Sequence, residues 1–279
     1  MTHIRAHEAV VTNEFWYGDG PPSLGKSFTA GKTAERNTAV VSILLKAGKR
    51  AAKAGDKRLA DAYFDLGDKL HSCRPRARCG SLACPKCARA FQRAKTAAQE
   101  VAISELAKTR PNRILVMVTV VPLHLTFTPA QLATLDIRKM NRWLKDVLAK
   151  AGIRRVMIGS ADISWEDRRG QNYYQLHWHI AMWTKDPKRL QRRLLDIFPP
   201  QKRYDRPVEV SRSFSLGFLS YMNKAIKLPD LLRRNRTHLP ELLLVLDRTE
   251  PLDLMVLMGL RPSAQSGGLV LGPLPRQKS

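Results

Sequence analysis

Tyr173-Tyr174-Gln175-Leu176-His177-Trp178-His179-Ile180-Ala181-Met182-Trp183 is the stretch on which the reading of this chain turns. Side chains alternate along a strand, so Leu176, Trp178 and Ile180 face one way and His177 and His179 the other. The apolar set can pack on helices. The two imidazoles stand about 7 Å apart at roughly 3.3 Å rise per residue, a workable chelating pair for one divalent ion. The strand upstream, Arg154 to Glu166, puts Ile163 and Trp165 on the apolar face and therefore Asp162, Ser164 and Glu166 on the histidine face. A hairpin that closes symmetrically around Arg169-Gly170 sets Asp162 across from His177; a slipped register would bring Glu166 there instead. An isolated His-x-His in a strand is commonly structural. The carboxylates on the partner strand turn this one into a candidate site for Mg²⁺ or Mn²⁺, with His177, His179 and Asp162 as ligands and Glu166 in reserve.

Working outward, Ile114 to Val121 is β-branched and apolar and ends at Pro122, a buried strand. Thr128-Pro129-Ala130-Gln131 supplies an N-cap, a proline at N1 and a capping-box glutamine for a helix carrying Leu132, Leu135, Met140, Leu144, Val147 and Leu148. Asp186-Pro187 caps a basic helix through Leu195, Pro207 to Ser211 is extended, and Phe214 to Lys227 is helical. The order β-α-β-β-α-β followed by a helix predicts an α+β chain with a ferredoxin-like antiparallel sheet, two helices on one face and the other face open for a site. This core spans 111–228. Residues 1–33, rich in Gly, Pro, Thr and Ser, read as a flexible lead-in, and 34–110 as a helical region with a basic helix from Ala88 to Lys108. Two or three short apolar helices are expected over 229–262, and 263–279 reads as a loose tail.

The four cysteines, Cys73, Cys79, Cys84 and Cys87, are spaced C-x5-C-x4-C-x2-C. A disulfide framework would spread its cysteines, and a redox pair would leave Cys73 and Cys79 unexplained. Four thiolates satisfy one tetrahedral Zn²⁺, and Cys84-Pro85-Lys86-Cys87 is a chelating knuckle. Arg74, Arg76, Arg78, Lys86, Arg89 and Arg93 would offset the charge of such a centre. The looser first spacings leave His71 open as a substitute ligand.

The chain has 48 Lys plus Arg against 24 Asp plus Glu, +24 at pH 7. That excess favours a polyanionic partner, nucleic acid before an anionic membrane. Hydrophobic residues at 44% exclude a wholly disordered chain. The longest apolar run is too short to span a bilayer and the N-terminus has no apolar h-region, so a soluble protein of the bacterial cytoplasm is expected.

On a helical wheel of Phe214, Phe218, Leu219, Met222, Ala225 and Ile226, Tyr221 falls about 90° from the apolar centre, able to project over the sheet, with Lys224 one turn on and on the same side. Here the motifs assemble. Gln175-Leu176-His177-Trp178-His179 resembles the His-hydrophobic-His signature of the HUH endonuclease superfamily, Tyr221-Met222-Asn223-Lys224 resembles its nucleophile motif, and Ile114 to Pro122 its first strand motif. Arg78 to Arg89 is similar to the cysteine cluster of bacterial rolling-circle replication initiators. The resemblance covers Cys73 to Lys227. It implies nicking and rejoining of single-stranded origin DNA, with Tyr221 as nucleophile, Lys224 as its electrostatic partner and a phosphotyrosine intermediate. A host helicase and polymerase would be further partners. A single tyrosine disfavours a two-tyrosine flip-flop. Lys188, Arg189, Arg192 and Arg193, Lys202 and Arg203, and Arg233 and Arg234 would grip phosphates, and Tyr173, Tyr174 and Trp183 would stack on bases. Two alternatives stay open: a non-catalytic zinc-containing nucleic-acid-binding regulator, and an HUH transposase or relaxase.

Overall fold

The structure, a computed structural model, describes residues 30–168, 171–201, 206–212, 216–224, 228–262 and 269–271. Its centre is an antiparallel sheet of six strands: β1 Ile114–Val120, β2 Thr126–Phe127, β3 Met157–Arg168, β4 Gln171–Thr184, β5 Val208–Ser211 and β6 Met255–Met258. The strand order is β5-β1-β4-β3-β6, and β2 pairs with β4 at Gln175 and Tyr174, where β1 has ended. The hairpin register is the symmetric one, Asp162 opposite His177 and Ser160 opposite His179. The architecture is α+β.

Alternation along the strands sorts the two faces. Val116, Val118, Val120, Ile163, Leu176, Trp178, Ile180 and Met182 are buried in the larger core, with Leu144 and Leu148 of helix α4 (Ile137–Lys150) and Leu190 and Leu194 of α5 (Pro187–Ile197). Both helices start on an aspartate: Asp136 accepts from the Lys139 amide and Asp186 from the Arg189 amide. The single helix expected from Pro129 onward is instead two elements. A short 3₁₀ turn, Ala130–Thr134, takes the capping box, with the Thr128 amide donating to Gln131. Leu135 is extended, and Asp136 then restarts the chain as α4. The Trp178 indole, fully buried, donates to Asn141 at 2.6 Å, and Asn141 donates to the Asp253 and Met255 carbonyls. That network locks β4, α4 and the start of β6 together, so the indole's one donor is not stranded in the core.

The opposite face is not open along its length. Met117, Ile158, Ala181 and Trp183 pack against Ala102, Ile103 and Leu106 of helix α3 (Pro85–Lys108) and Leu219 and Met222 of α6 (Leu216–Met222). The reason is in β4: beyond His179 the same face carries Ala181 and Trp183, which need cover. Helices α1 (Ala30–Lys53) and α2 (Lys57–His71) form a hairpin that meets α8 (Leu239–Arg248), after the short α7 (Leu228–Arg234). Helix α1 begins at Ala30 rather than 34; residues 1–29 lie outside the described part.

The C-terminal stretch also departs from expectation. Met255–Met258, read as helical, pairs antiparallel with Met157–Ser160 as the edge strand of the sheet, so the sheet draws on chain beyond 228. Leu260–Pro262 and Leu269–Leu271 form a two-stranded ribbon, β7 and β8, reaching into the segment taken as tail. Short apolar runs do not distinguish strand from buried helix by periodicity, and a partner edge decides.

Candidate active site and cysteine cluster

Asp162, His177 and His179 each offer a ligand atom within 4.8 Å of the others, an arrangement that could hold a metal ion. Strand parity supplies two residues from β4 and one from β3, and the register closes the triangle. His179 is 4% and Asp162 1% exposed. His179 Nε2 lies 3.7 Å from Asp162 Oδ2. Both Asp162 oxygens and His179 Nε2 are buried without a hydrogen-bond partner among the described residues. Buried polar atoms left that way are costly, and a cation held among them satisfies all three at once.

Neighbouring hydroxyls orient the rings. Thr119, directly across from His179 on β1, puts Oγ1 3.1 Å from His179 Nδ1. In the tautomer that would hold a metal, Nδ1–H donates to Thr119 and Nε2 keeps its lone pair for the ion. Ser164 Oγ donates to Glu166 at 2.6 Å, and since a hydroxyl has one proton, it accepts from His177 Nε2 at 3.0 Å. His177 then carries its lone pair on Nδ1. Glu166 is thus outside the triangle, acting on it through Ser164. Thr119 was legible as the one polar residue of an apolar strand, but its partner could not be named without the β1–β4 register.

Tyr221 and Lys224 stand beside the triangle. The Tyr221 ring is 5.1 Å, centroid to centroid, from His179, and Lys224 Nζ lies 3.0 Å over the centre of that ring and 3.4 Å from Asp162 Oδ2. Tyr221 is 40% exposed, whereas the Lys224 side chain is 11% exposed. Burial by itself pushes the Asp162 carboxyl up; His179, Lys224 and His177 outweigh it and hold the group below the usual carboxylate range.

Helix α6 is held by side chains the sequence reading passed over. Gln92 on α3 donates to the Ser220 carbonyl at 2.6 Å, and Asn223 donates to Gln99 at 2.7 Å, to Thr96 at 3.3 Å and to Leu219 at 3.0 Å. The basic helix is therefore polar on a buried side, and that side grips the segment bearing Tyr221. Polar residues at helical spacing resemble a solvated face in sequence, so no signal marked these out.

The four cysteine sulfurs also lie within 4.8 Å of one another and could bind a metal ion. Cys73 and Cys79 each sit 3.6 Å from Cys87. Hydrogen bonds from the Cys84 and Cys87 thiols pull Cys79 down, and Cys84 and Cys87 are pushed up in return. Cys84 caps α3, Pro85 opens it, and Cys87 follows within the first turn, where the helix dipole favours thiolate. Gly80, at φ 75°, makes the bend that Cys79 needs. Lys86 donates to the Cys73 carbonyl at 3.0 Å, and Arg74 to the His71 and Cys73 carbonyls. Cys84 Sγ donates to Asn37 at 3.4 Å, tying the cluster to α1. His71 is exposed and is no member of this cluster.

The basic residues divide. Lys188, Arg189 and Arg192 are exposed on α5, and Arg193 is half-buried, donating to the Ala151 carbonyl. Arg233 is exposed on α7; Lys202, Arg203 and the Arg234 side chain lie outside the described residues. Two of the expected base-stacking aromatics are core residues. Tyr174 is fully buried on the apolar face, its hydroxyl donating to His238 and accepting from Asn235, and Trp183 is buried under α3. Tyr173 is half-buried, opposite Glu166 near the turn end of the hairpin. No described helix is long and apolar enough to cross a membrane. No protein-family model, curated protein or solved structure matches this chain.

Proposed function

We propose that the chain is a site-specific DNA endonuclease and strand transferase of the HUH type, an initiator of rolling-circle replication that acts on single-stranded origin DNA in the bacterial cytoplasm. One observation carries the reading: an Asp162–His177–His179 triangle whose buried Asp162 and His179 atoms lack hydrogen-bond partners, flanked by the Tyr221 ring and the Lys224 ammonium. The sheet supports it, because β4 lies between β1 and β3 and α4 crosses from β1 to β3, the split βαβ half of a ferredoxin-like core.

Asp162, His177 and His179 fit a divalent ion, Mg²⁺ or Mn²⁺ by the carboxylate, and Cys73, Cys79, Cys84 and Cys87 fit structural Zn²⁺. A bound Mg²⁺ or Mn²⁺ would polarise a phosphate oxygen and stabilise the leaving 3′-oxygen. Tyr221 Oη forms the new bond to phosphorus as the P–O3′ bond breaks; the phenol proton goes to solvent and the 3′-oxygen takes one up. The product is a 5′-phosphotyrosine and a 3′-OH that a polymerase can extend. Lys224, poised over the ring, would stabilise the negative charge developing on phosphorus. Reversal by an incoming 3′-OH rejoins strands without ATP, because the ester keeps the bond.

The test is a covalent-adduct assay with Mn²⁺ and labelled single-stranded oligonucleotides tiled from the replicon that encodes the protein. A denaturant-resistant protein–DNA band that requires metal and is lost in Tyr221→Phe supports the assignment. DNA binding without an adduct from wild type overturns it in favour of a zinc-dependent binding protein.

A further inference from the structure

At the far end of the sheet from Tyr221, three cavities adjoin. The first, about 500 Å³, opens between the end of α3, the start of β1, the α4–β3 connection and the end of β4. A second of about 290 Å³ shares Arg113, Arg155 and Lys185 with it and reaches Arg189 and Arg193 on α5. A third, about 550 Å³, continues from Arg189 and Arg193 along the same helix. Among the described residues, eight basic ones line the run against two acids, Asp186 and Asp196, and Asp186 is committed to capping α5 through the Arg189 amide. Among the described residues, none of the eight lies within ion-pair distance of a carboxylate, although ion pairs form elsewhere.

Three of the guanidiniums are seated by contacts with the fold. Arg110 lies over the buried Trp183 ring, 5.4 Å from its centre, and donates to the Thr109 hydroxyl and the Leu106 carbonyl. Arg155 donates to the Trp183 carbonyl at 3.2 Å and Arg193 to the Ala151 carbonyl. Gly152, at φ 73°, leaves room for that guanidinium; a Cβ there would come within 2.9 Å of Arg193 Nη2. Burial and then Arg113 lower the proton affinity of Arg110, and burial, Arg113, Arg193 and Arg189 lower that of Arg155. Like charges held this close repel one another until an anion enters.

We propose that this basic trough is a track for the phosphodiester backbone of a nucleic-acid strand, separate from the metal triangle. The trough rests on the reading that the chain handles DNA. Its length argues for a polymer over one small anion: Pro187 to Arg193 of α5 alone covers about 9 Å at 1.5 Å per helical residue, and Lys185 and the first cavity extend it. The site is a distinct one. Trp183 lies four residues beyond His179 on β4, about 13 Å at 3.3 Å per residue, and the apolar layer of α3 and α6 lies over that span. A strand gripped here would be held while its scissile phosphate is worked on elsewhere.

The experiment is the salt dependence of single-stranded DNA binding, read by fluorescence anisotropy without nicking in a Tyr221→Phe background. Arg113→Gln, Lys185→Gln and Arg189→Gln are combined, all at exposed positions; Lys49→Gln, Lys53→Gln and Lys57→Gln, also exposed, form a charge-matched control. The trough triple is expected to lower the slope of log K against log[salt] by about 2, at about 0.7 per lost phosphate contact on a single strand, and the control to leave it unchanged. Equal slopes in both triples overturn the track. So does full displacement of the oligonucleotide by pyrophosphate at matched phosphate concentration, which makes the trough a small-anion site. The adduct assay is read separately: a normal adduct with unchanged slopes sinks the trough alone, and a missing adduct with the expected slopes sinks the nuclease alone.

Discussion

Lys95 gives the sharpest energetic prediction. It sits on α3 between Gln92 and Gln99, three and four residues from the side chains that grip α6 or its C-terminal Asn223, and is 7% exposed. Its Nζ has no hydrogen-bond partner among the described residues. Burial pulls its pKa down from 10.5 to about 8, so at pH 7 the folded protein holds a charged, desolvated ammonium. At about 1.36 kcal/mol per pKa step, that fall amounts to about 3 kcal/mol. Lys95→Met keeps the length and removes the charge. The variant is expected to be more stable than wild type by about 3 kcal/mol at pH 7, or roughly 6–12 °C in melting temperature for a chain of this size. The sign with pH follows from proton binding. Below pH 8 both folded and unfolded Lys95 are protonated and wild type carries the whole penalty. Between 8 and 10.5 the unfolded state binds more protons, so wild type gains stability and the difference closes. Urea titrations of both proteins at pH 7, 9 and 10.5 in a reductant measure it. A stability difference that is absent at pH 7 refutes the reasoning. A difference that stays constant with pH also refutes it, because packing and not charge would then be the cause.

Ser164→Ala removes the acceptor that sets the His177 tautomer, and a lost outer partner of a ligating histidine typically costs 10–100-fold in metal affinity; Mn²⁺ titration followed by electron paramagnetic resonance is expected to show that weakening, with the cysteine cluster's metal content unchanged. Cys84→Ala removes a fully buried thiol of the four-cysteine cluster at the start of α3. It falls in the class of losses above about 4 kcal/mol, lowering the melting temperature by roughly 10 °C at about 2–4 °C per kcal/mol, and a strong zinc chelator added to wild type is expected to reproduce the drop in calorimetry.

Much of this protein was legible from residue order. Alternation put His177 and His179 on one face because a strand offers only two faces, and the apolar partners Leu176, Trp178 and Ile180 had to take the other. A symmetric hairpin placed Asp162 opposite His177 and a slipped one placed Glu166 there; the β3–β4 pairing is the symmetric one. The Asp186 cap and the cysteine knuckle were local, and local geometry is carried by neighbours in sequence; the Asp136 cap was hidden because Thr128 offers an earlier capping box that starts only a 3₁₀ turn. What lay beyond reach depended on which surfaces meet. Met255–Met258 is a strand because β3 presents it an edge, not because of its own pattern. Tyr174 and Trp183 are core residues because helices cover them, and α3 is buried on a polar side because Asn223 and Ser220 satisfy that side. Lys224 lies between Asp162 and the Tyr221 ring because α3 sets the placement of α6. Contacts between residues distant in sequence are chosen by packing the whole chain, so periodicity fixes which side a residue faces, and only the assembled fold decides what it meets there.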